Sequence, residues 1–222
     1  MNTGPVVVLD YDAGNLRSVA RALTHVGAEP VVSADPDDIS RAGALVLPGV
    51  GAAADTMFKL AERKLIEPVR EYIAQGRPFL GVCMGLHALL DRSDEGGGQE
   101  CLGVLPGEAK LFESGPGMKV PHMGWNTVEW LRRHPVTEGI DSGSYFYFVH
   151  SYYPTTHEPA LALGQTEYGV TFPSVLARGY VVATQFHPEK SGKDGLRLYR
   201  NFVDWARTGV PEPELVPAGS AG

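Results

Sequence analysis

Cysteine is scarce in this sequence: Cys83 and Cys101 are the only two among 222 residues. Two cysteines cannot provide the disulfide framework on which small secreted domains depend. Long apolar segments are also missing, since none approaches the roughly 20 residues of a membrane-spanning helix, and the N-terminal residues lack the basic start and apolar stretch of a signal peptide. We therefore expect a cytoplasmic protein with reduced cysteines.

An excess of basic charge is absent as well. Lysine and arginine number 19 against 26 aspartates and glutamates, which gives a formal net charge of −7. Because proteins bind nucleic acid through basic surfaces that neutralise phosphates, this balance argues against a nucleic-acid partner. Hydrophobic residues make up 43% of the chain and charged residues 20%, as in ordinary globular proteins with a packed core.

The sequence also lacks an internal repeat or an obvious interdomain linker. We therefore predict a single domain over residues 1–209. The remaining residues, 210–222, are rich in proline and glycine, a composition typical of disorder.

What is present is an alternation of strand and helix patterns. Strand patterns occur at 5–11, 30–33, 44–48 and 78–82, and helical patterns at 14–27, about 53–75 and 84–90. Continuous apolar strands separated by helices indicate a parallel sheet with both faces covered, and thus an α/β fold. In the second half, shorter strands joined by turns are predicted at 104–113, 119–129, 145–153, 160–166, 174–178 and 181–186, before a helix at 195–207.

The segment FLGVCMGLHALL, residues 79–90, places Cys83 between Gly81 and Gly85, after a strand pattern and before a helical one. This arrangement is typical of a nucleophile elbow, a turn so tight that its flanking positions must be nearly free of side chains. Such a turn exposes the sulfur beside a helix N-terminus, which favours the thiolate. A free cysteine is more often a buried apolar residue, and the motif alone does not decide between these interpretations.

His187 and Glu189 provide a possible base and a group to orient it. They lie in the segment QFHPEKSG, residues 185–192, which follows a strand pattern. His187 should therefore emerge at a strand end, where open α/β sheets place their sites. A carboxylate so close to the imidazole can fix its tautomer and stabilise its cationic form. Taken alone, these residues would be interpreted as part of a solvated loop.

The stretch Pro48-Gly49-Val50-Gly51 also follows a strand pattern. Glycines there free the backbone to aim an N–H group, at Val50 or Gly51, at a developing oxyanion, together with the N–H of Met84, which follows the candidate nucleophile. Taken alone, the stretch would be a plain strand-to-helix turn. In combination with the cysteine and histidine motifs, it favours a Cys–His–Glu triad with an oxyanion hole.

Together these elements resemble the class I, triad-type glutamine amidotransferases. Four segments narrow the likeness to the glutaminase subunits of imidazole glycerol phosphate synthase: DYDAGNLRSV at 10–19, PHMGWN at 121–126, YFVHSY at 147–152 and QFHPEKSG at 185–192. The likeness extends from about residue 6 to residue 205. It implies a central, mostly parallel sheet flanked by helices, with extra antiparallel strands in the second half.

The resemblance implies a reaction in which Cys83 attacks the side-chain amide of L-glutamine and forms a γ-glutamyl thioester. Ammonia departs, and water then releases L-glutamate. His187 would act as base and acid, and Glu189 would orient it. In this family, the backbone around Ser151 and Tyr152 also contacts glutamine. No cofactor or metal ion is implied.

The resemblance also implies a partner, a (β/α)8-barrel cyclase subunit that takes up the ammonia and makes imidazole glycerol phosphate and AICAR in histidine biosynthesis. The glutaminase pattern occupies nearly the whole chain, so we expect the ammonia to be used on another chain. By motif position, the candidates for the docking face are Asn15, Arg17, Lys119, Met123 and Trp125. Core packing is an equally good interpretation of Trp125, and an ordinary solvated charge is the simpler one for Arg17 and Lys119.

Two positions depart from the family pattern. The family usually has glutamine four residues after the nucleophile, where it helps to hold the substrate, but this chain has His87. An imidazole can still donate a hydrogen bond, with a different reach from an amide. Asp12 stands where the family usually has glycine, which could alter the docking loop. Cys101 matches no functional position, and we assign it a structural role.

Three other functions stay open from the sequence. Another triad amidotransferase, such as the glutaminase of pyridoxal phosphate synthase, usually carries Gly-Gly-Glu-Ser where this chain has residues 48–51. A cysteine-elbow hydrolase or peptidase of another family does not take its base from a late His-Pro-Glu. A non-catalytic binding subunit is the third, with His87 as a sign of decay and the intact Cys83, His187 and Glu189 against it.

Overall fold

A nine-stranded sheet forms the centre of the molecule, accompanied by a four-stranded sheet. The computed structural model describes residues 4–12, 14–115 and 118–208. The strands are β1 Val6–Leu9, β2 Pro30–Ser33, β3 Ala44–Gly49, β4 Phe79–Cys83, β5 Arg92–Ser93, β6 Gln99–Glu100, β7 Glu108–Leu111, β8 His122–Trp130, β9 Ser144–His150, β10 Tyr152–Thr155, β11 Ala162–Tyr168, β12 Val170–Arg178 and β13 Val181–Thr184. The helices are α1 Leu16–His25, α2 Pro36–Arg41, α3 Ala53–Glu62, α4 Ile66–Ala74, α5 Met84–Leu89 and α6 Gly192–Thr208.

The large sheet has the order β2-β1-β3-β4-β13-β12-β11-β8-β9. Strand pairs from β2 through to β13 are parallel, and those from β13 to β9 are antiparallel. Within the parallel part, β3, β4 and β13 are buried along their whole length, as expected when helices cover both faces of a sheet. The predicted fold class is therefore confirmed.

Alternate residues of the parallel strands point to opposite faces of the sheet and build two separate cores. Val8 of β1 belongs to a core that it shares with apolar residues of α1 and α6. Its neighbours Val7 and Leu9 belong to the other core, which is closed by α3, α4 and α5. The sheet is thus held rigidly between two helical layers, and its carboxyl edge is free to carry a site.

The single helix predicted over 53–75 is wrong, because the structure has two. α3 ends at Glu62 and α4 begins at Ile66, and Lys64 between them has a left-handed φ of 57°. Pro68 accounts for the break. A proline ring clashes with the carbonyl four residues earlier and is tolerated only in the first turn of a helix.

The strand predicted over 145–153 is also two elements. β9 ends at His150 in the large sheet, and β10 begins at Tyr152 in the small one. The chain therefore changes sheets at Ser151. The small sheet, with the order β10-β7-β5-β6, was not predicted, because β5 and β6 have only 2 residues each and so show no pattern.

The short helix α2 was missed, although its start has a clear signal. The carboxylate of Asp35 accepts a hydrogen bond from the N–H of Asp37 at 2.9 Å, and a proline opens the helix, as N-capped helices favour. The remaining predicted helices and strands overlap observed elements.

The expectations for the C-terminal tail and for the domain organisation stay predictions. The tail at 210–222 lies outside the described residues, and the single domain over 1–209 stays a prediction. Across the described ranges, no helix is long and apolar enough to cross a membrane.

Candidate active site

Cys83 lies where β4 turns into α5, in a backbone conformation that few residues other than glycine adopt: its φ is 53° and its ψ −105°. Glycines make room for this turn. A side chain at Gly81 would come within 2.8 Å of the carbonyl oxygen of Gly85, and a side chain at Gly85 would overlap the carbonyl oxygen of Leu47 in β3. A residue held in such a conformation costs about 1–3 kcal/mol, and the surrounding close packing maintains it, as a nucleophile elbow requires.

His187 and Glu189 follow β13, which pairs in parallel with β4 through Thr184 and Val82. Carboxyl ends of neighbouring parallel strands meet at one edge of the sheet, so the imidazole reaches the same place as the elbow. Nδ1 of His187 donates a hydrogen bond to Oε1 of Glu189 at 2.9 Å, and both side chains are almost completely buried. This bond assigns a proton to Nδ1 and leaves Nε2 for Cys83.

Two opposing effects act on the pKa of His187. Burial disfavours the imidazolium, but the charge and hydrogen bonding of the Cys83 sulfur, followed by those of Glu189, outweigh it and raise the pKa of His187 to about 10. Among the described residues, Nε2 has no hydrogen-bond partner of normal geometry. The sulfur therefore raises the pKa of the ring mainly through its charge. The site therefore favours a protonated His187 beside Cys83.

Glu189 is held from two further sides. Nδ2 of Asn15 donates to its Oε1, and the hydroxyl of Tyr199 donates to its Oε2, each at 3.4 Å. Burial opposes ionisation, but the hydrogen bond and charge of His187 outweigh it and lower the pKa of Glu189. Burial beside this carboxylate raises the pKa of Tyr199 well above its usual value. Glu189 is thus an anion that can fix the imidazole from behind.

A cavity of about 420 Å³ opens beside Cys83 and His187, a size within the range of small-molecule sites. Its lining includes every residue predicted for the oxyanion and glutamine contacts, namely Val50, Gly51, Met84, His87, Ser151 and Tyr152. It also includes residues that were not predicted for the site: Glu95, Pro121, Val149, His150 and Lys190. Most of these belong to segments that carried the family likeness, but Glu95 lies in a stretch that the sequence predicted only as a loop.

The stretch at the end of β3 runs alongside the elbow, with Gly49 paired opposite Cys83. Gly51 has a left-handed φ of 94°, which a residue with a side chain adopts only with strain. Val50 between them is 39% exposed and lines the cavity. The backbone of this stretch therefore lies next to the sulfur, while its role as an oxyanion hole stays a prediction.

Hydrogen bonds hold this stretch on both sides. The hydroxyl of Tyr11, which is fully buried, donates to the carbonyl oxygen of Pro48 at 2.9 Å. On the other side, the N–H of Ala53 at the start of α3 donates to Oε2 of Glu95 at 2.6 Å. Glu95 thus joins the wall of the cavity to the first turn of the helix that follows the stretch.

His87 is buried on α5 and lines the cavity. Its Nε2 lies 2.7 Å from Oε1 of Gln185. Burial lowers the pKa of His87 to about 4, against a smaller raising effect of this hydrogen bond, so the ring is neutral at pH 7. The amide of Gln185 in turn places Nε2 3.8 Å from Sγ of Cys83. Gln185 was missed as a site residue, because only the fold brings it to the elbow.

The residues predicted for the docking face differ in their solvent exposure. Met123 and Trp125 are 62% and 55% exposed on β8, so core packing is the wrong interpretation of Trp125. Its ring faces Tyr147 of β9 with the centroids 6.1 Å apart, and Tyr145, which is 61% exposed, extends the apolar surface.

Arg17 and Lys119 are exposed, and Asn15 is half-buried beside Glu189. Their docking roles stay predictions.

The structure shows the contacts of Asp12 and the burial of Cys101, the two other positions that the sequence singled out. Asp12, at the usual glycine position, has a φ of 64° and pairs with Arg63, while Nζ of Lys59 donates to its carbonyl oxygen at 3.0 Å. The loop that leads to α1 is therefore tied to α3 and the turn that follows it. Cys101 is a free, buried thiol, and burial raises its pKa to about 11, which supports a structural role.

Comparison with known proteins places these features in a family. The family described as Glutamine amidotransferase class-I matches residues 7–205. The chain is 48% identical over 201 residues to the "Imidazole glycerol phosphate synthase subunit HisH" of Herpetosiphon aurantiacus, covering 90% of this chain and 94% of that protein. It is 48% identical over 206 residues to the subunit HisH 1 of Pseudomonas aeruginosa, covering 90% and 96%, and 44% identical over 210 residues to HisH of Chloroflexus aurantiacus, covering 93% and 99%.

Solved structures agree with this assignment at the level of the fold. A structure described as "Crystal structure of glutamine amidotransferase" superposes with a TM-score of 0.69 at 24% identity, covering 92% of this chain and all of that chain. The structure of PurLQS from Thermotoga maritima superposes with a TM-score of 0.71 at 18% identity, covering 91% and 99%. At these identities the likeness concerns the fold alone.

Proposed function

This chain belongs to the class-I glutamine amidotransferase family, and we propose that it hydrolyses L-glutamine to L-glutamate and ammonia as the glutaminase subunit of imidazole glycerol phosphate synthase in histidine biosynthesis. Its relatives at 44–48% identity carry the name of that subunit. The observation that carries the proposal is that Cys83 and His187 line a single cavity, while the buried Glu189 is paired with His187 at 2.9 Å.

In the proposed reaction, the Cys83 thiolate attacks the side-chain amide carbon of glutamine. His187, already protonated, gives its Nε2 proton to the nitrogen as the C–N bond breaks, so that ammonia leaves and a γ-glutamyl thioester remains. His187 then takes a proton from water, and the resulting hydroxide attacks the thioester carbon. The C–S bond breaks, which releases L-glutamate and restores the Cys83 thiolate beside the protonated His187. The raised pKa of His187 supports this cycle, since the ring holds a proton that it can give to the leaving nitrogen.

Glu189 would keep the imidazole in its productive tautomer. Because its carboxylate accepts a hydrogen bond from Nδ1 at 2.9 Å, Nε2 is the nitrogen left to exchange protons at the cavity. Backbone N–H groups of Met84 and of Val50 or Gly51 would stabilise the oxyanion of the tetrahedral intermediates. Their lining of the same cavity supports this assignment.

The cavity also suits the rest of a glutamine molecule. Glu95 adds a carboxylate to its wall, and we propose that it faces the α-ammonium group of the substrate. Ser151 and Tyr152, where the chain changes sheets, would contribute backbone contacts. His87 completes the lining on the side of α5, although its Nε2 already bonds within the protein.

The ammonia requires a partner, because ammonia released into water is protonated and lost as a nucleophile. We propose that this chain docks on a (β/α)8-barrel cyclase subunit in the cytoplasm, which uses the ammonia to make imidazole glycerol phosphate and AICAR. The exposed apolar surface formed by Met123, Trp125 and Tyr145 supports a docking role for β8 and β9, since large aromatic residues are enriched where proteins bind one another.

Glutamate release tests this proposal. We would measure it for the chain alone and with its cyclase subunit and nucleotide substrate, each beside a Cys83→Ala variant. We expect activity that rises strongly in the complex and vanishes in the variant. A complex that forms but releases no glutamate would contradict the catalytic role and favour a binding subunit instead.

A further inference from the structure

Gln185 directly follows β13, and it is fully buried. Its backbone N–H donates to the carbonyl oxygen of Ser174 at 2.8 Å, which fixes the chain at this point. The side-chain amide then extends toward the elbow, with Oε1 2.7 Å from Nε2 of His87 and Nε2 3.8 Å from Sγ of Cys83. The amide therefore bridges the candidate nucleophile and the ring that lies four residues after it.

His87 determines which end of this amide faces the sulfur. The ring is neutral, so only one of its nitrogens carries a proton. Nδ1 is buried and has no hydrogen-bond partner in the part of the chain that the structure describes, and a buried N–H group without an acceptor costs more than an unpaired acceptor nitrogen. The proton therefore lies on Nε2, which donates to Oε1 of Gln185 at 2.7 Å. With Oε1 engaged in this way, the NH2 group is the end that faces Cys83.

The orientation of the amide matters for the chemistry of the sulfur. An N–H group that donates to a thiolate stabilises the charged form. A reversed amide would present its carbonyl oxygen to the sulfur and repel the same charge. Because the site is buried, such local dipoles act with little screening by water.

We infer that Gln185 is a positioning residue for the nucleophile: its amide N–H favours the Cys83 thiolate, and His87 fixes the orientation of that amide. This inference rests on the proposed role of Cys83 as the nucleophile. It also gives the unusual His87 a task within the protein, since the ring nitrogen that could donate to a substrate is already used.

The simpler alternative is that Gln185 and His87 only satisfy each other in the interior, as buried polar groups usually do. The two interpretations differ in one measurable property, the pH at which Cys83 becomes reactive. A purely structural pair would affect the unfolding temperature and leave that pH unchanged.

The test is the rate of Cys83 alkylation by iodoacetamide as a function of pH, in the full chain carrying Cys101→Ala so that one thiol is followed. We expect Gln185→Met, which keeps the size of the side chain but has no donor, to move the midpoint upward by about 0.5–1 pH unit. Gln185→Glu should move it further, because a carboxylate replaces the donor. His87→Gln can still donate to Oε1 and should keep the original midpoint, whereas His87→Leu should raise it.

Thr137→Val is the matched control. It removes a buried hydroxyl that donates to the carbonyl oxygen of His134 at 2.9 Å, so it should lower stability and leave the midpoint unchanged. Circular dichroism and thermal unfolding establish which variants are folded. If the Gln185 variants do not fold, the comparison of His87→Gln with His87→Leu decides the question by the same midpoint.

Unchanged midpoints in the folded Gln185 variants, or in His87→Leu, would overturn the inference and leave the proposed function intact. A parent chain whose Cys83 reacts with the midpoint of a free thiol, near about 8.5, would count against the proposed function itself. The two failures are therefore distinguishable in one experiment.

Discussion

At the scale of single residues, the charge of Glu189 links catalysis to stability. Its pKa is lowered in the folded state, mainly by the hydrogen bond and charge of His187 against the effect of burial. It therefore stabilises the fold above the pKa of an unfolded glutamate, about 4.3, and this contribution disappears as the pH falls through the lower folded-state value.

We accordingly expect Glu189→Gln to lower the free energy of unfolding by about 2 kcal/mol at neutral pH, and the difference to shrink below about pH 4. Denaturant unfolding of both chains across this pH range measures it. A difference that grows toward acid pH would contradict the assigned charge.

Glu95 offers a second test at this scale. We expect Glu95→Gln to raise the KM for glutamine about tenfold or more, since a charge-assisted hydrogen bond is worth roughly 1.5–3 kcal/mol, with a smaller effect on kcat. The amide oxygen of the substituted side chain can still accept a hydrogen bond from the N–H of Ala53, so the start of α3 keeps its partner. Steady-state kinetics of the complex measures this, with Glu100→Gln on the exposed strand β6 as the control; a loss confined to kcat would contradict the binding role.

At the scale of elements, the elbow depends on the close approach of α5 to β3. We expect Gly85→Ala to lower the free energy of unfolding by about 2 kcal/mol or more, because its methyl group would overlap the backbone of Leu47. Gly115→Ala meets nothing within 4 Å and should change stability by less than about 0.5 kcal/mol. Thermal unfolding compares the two, and equal losses would show that the approach is not tight.

Tyr11 anchors the stretch beside the elbow through Pro48. We expect Tyr11→Phe to lower kcat about tenfold while KM changes little, because a displaced oxyanion donor affects the transition state more than substrate binding. Tyr72→Phe is a matched control, since its buried hydroxyl makes the same kind of bond to the carbonyl oxygen of Pro78 at 3.1 Å, at the opposite end of β4. It should cost similar stability without the loss in kcat; equal kcat values for both variants would contradict the anchoring role.

How far the sequence predicted these elements depends on how local the determinants are. The turn at Cys83 was predictable because the need for glycine on both sides is local. The contact between His187 and Glu189 was predictable because the two residues are only two positions apart in the same segment. The break at Pro68 was equally local but was overlooked. The positions of Gln185 and Glu95 were not predictable, since strand pairing and the packing of loops bring them to the cavity.

At the scale of the whole molecule, β8 and β9 form one end of the nine-stranded sheet and expose large apolar side chains there. We expect Trp125→Glu to weaken binding of the cyclase subunit about tenfold or more, and to leave the alkylation midpoint of Cys83 unchanged. Val32→Glu is the control, because Val32 is 43% exposed on β2 at the opposite end of the sheet. Titration calorimetry measures the affinity of both variants for the cyclase subunit, and equal affinities would show that the docking face lies elsewhere.

The central claim, that Cys83 is the nucleophile, is tested most directly by trapping the covalent intermediate. The complex with its cyclase subunit would be mixed with L-glutamine, quenched in acid within the first turnovers, digested and examined by mass spectrometry. The account predicts a γ-glutamyl group on the peptide that contains Cys83, with the Cys101 peptide unmodified. Glutamate release with no adduct on Cys83, or with the adduct on another residue, would contradict it.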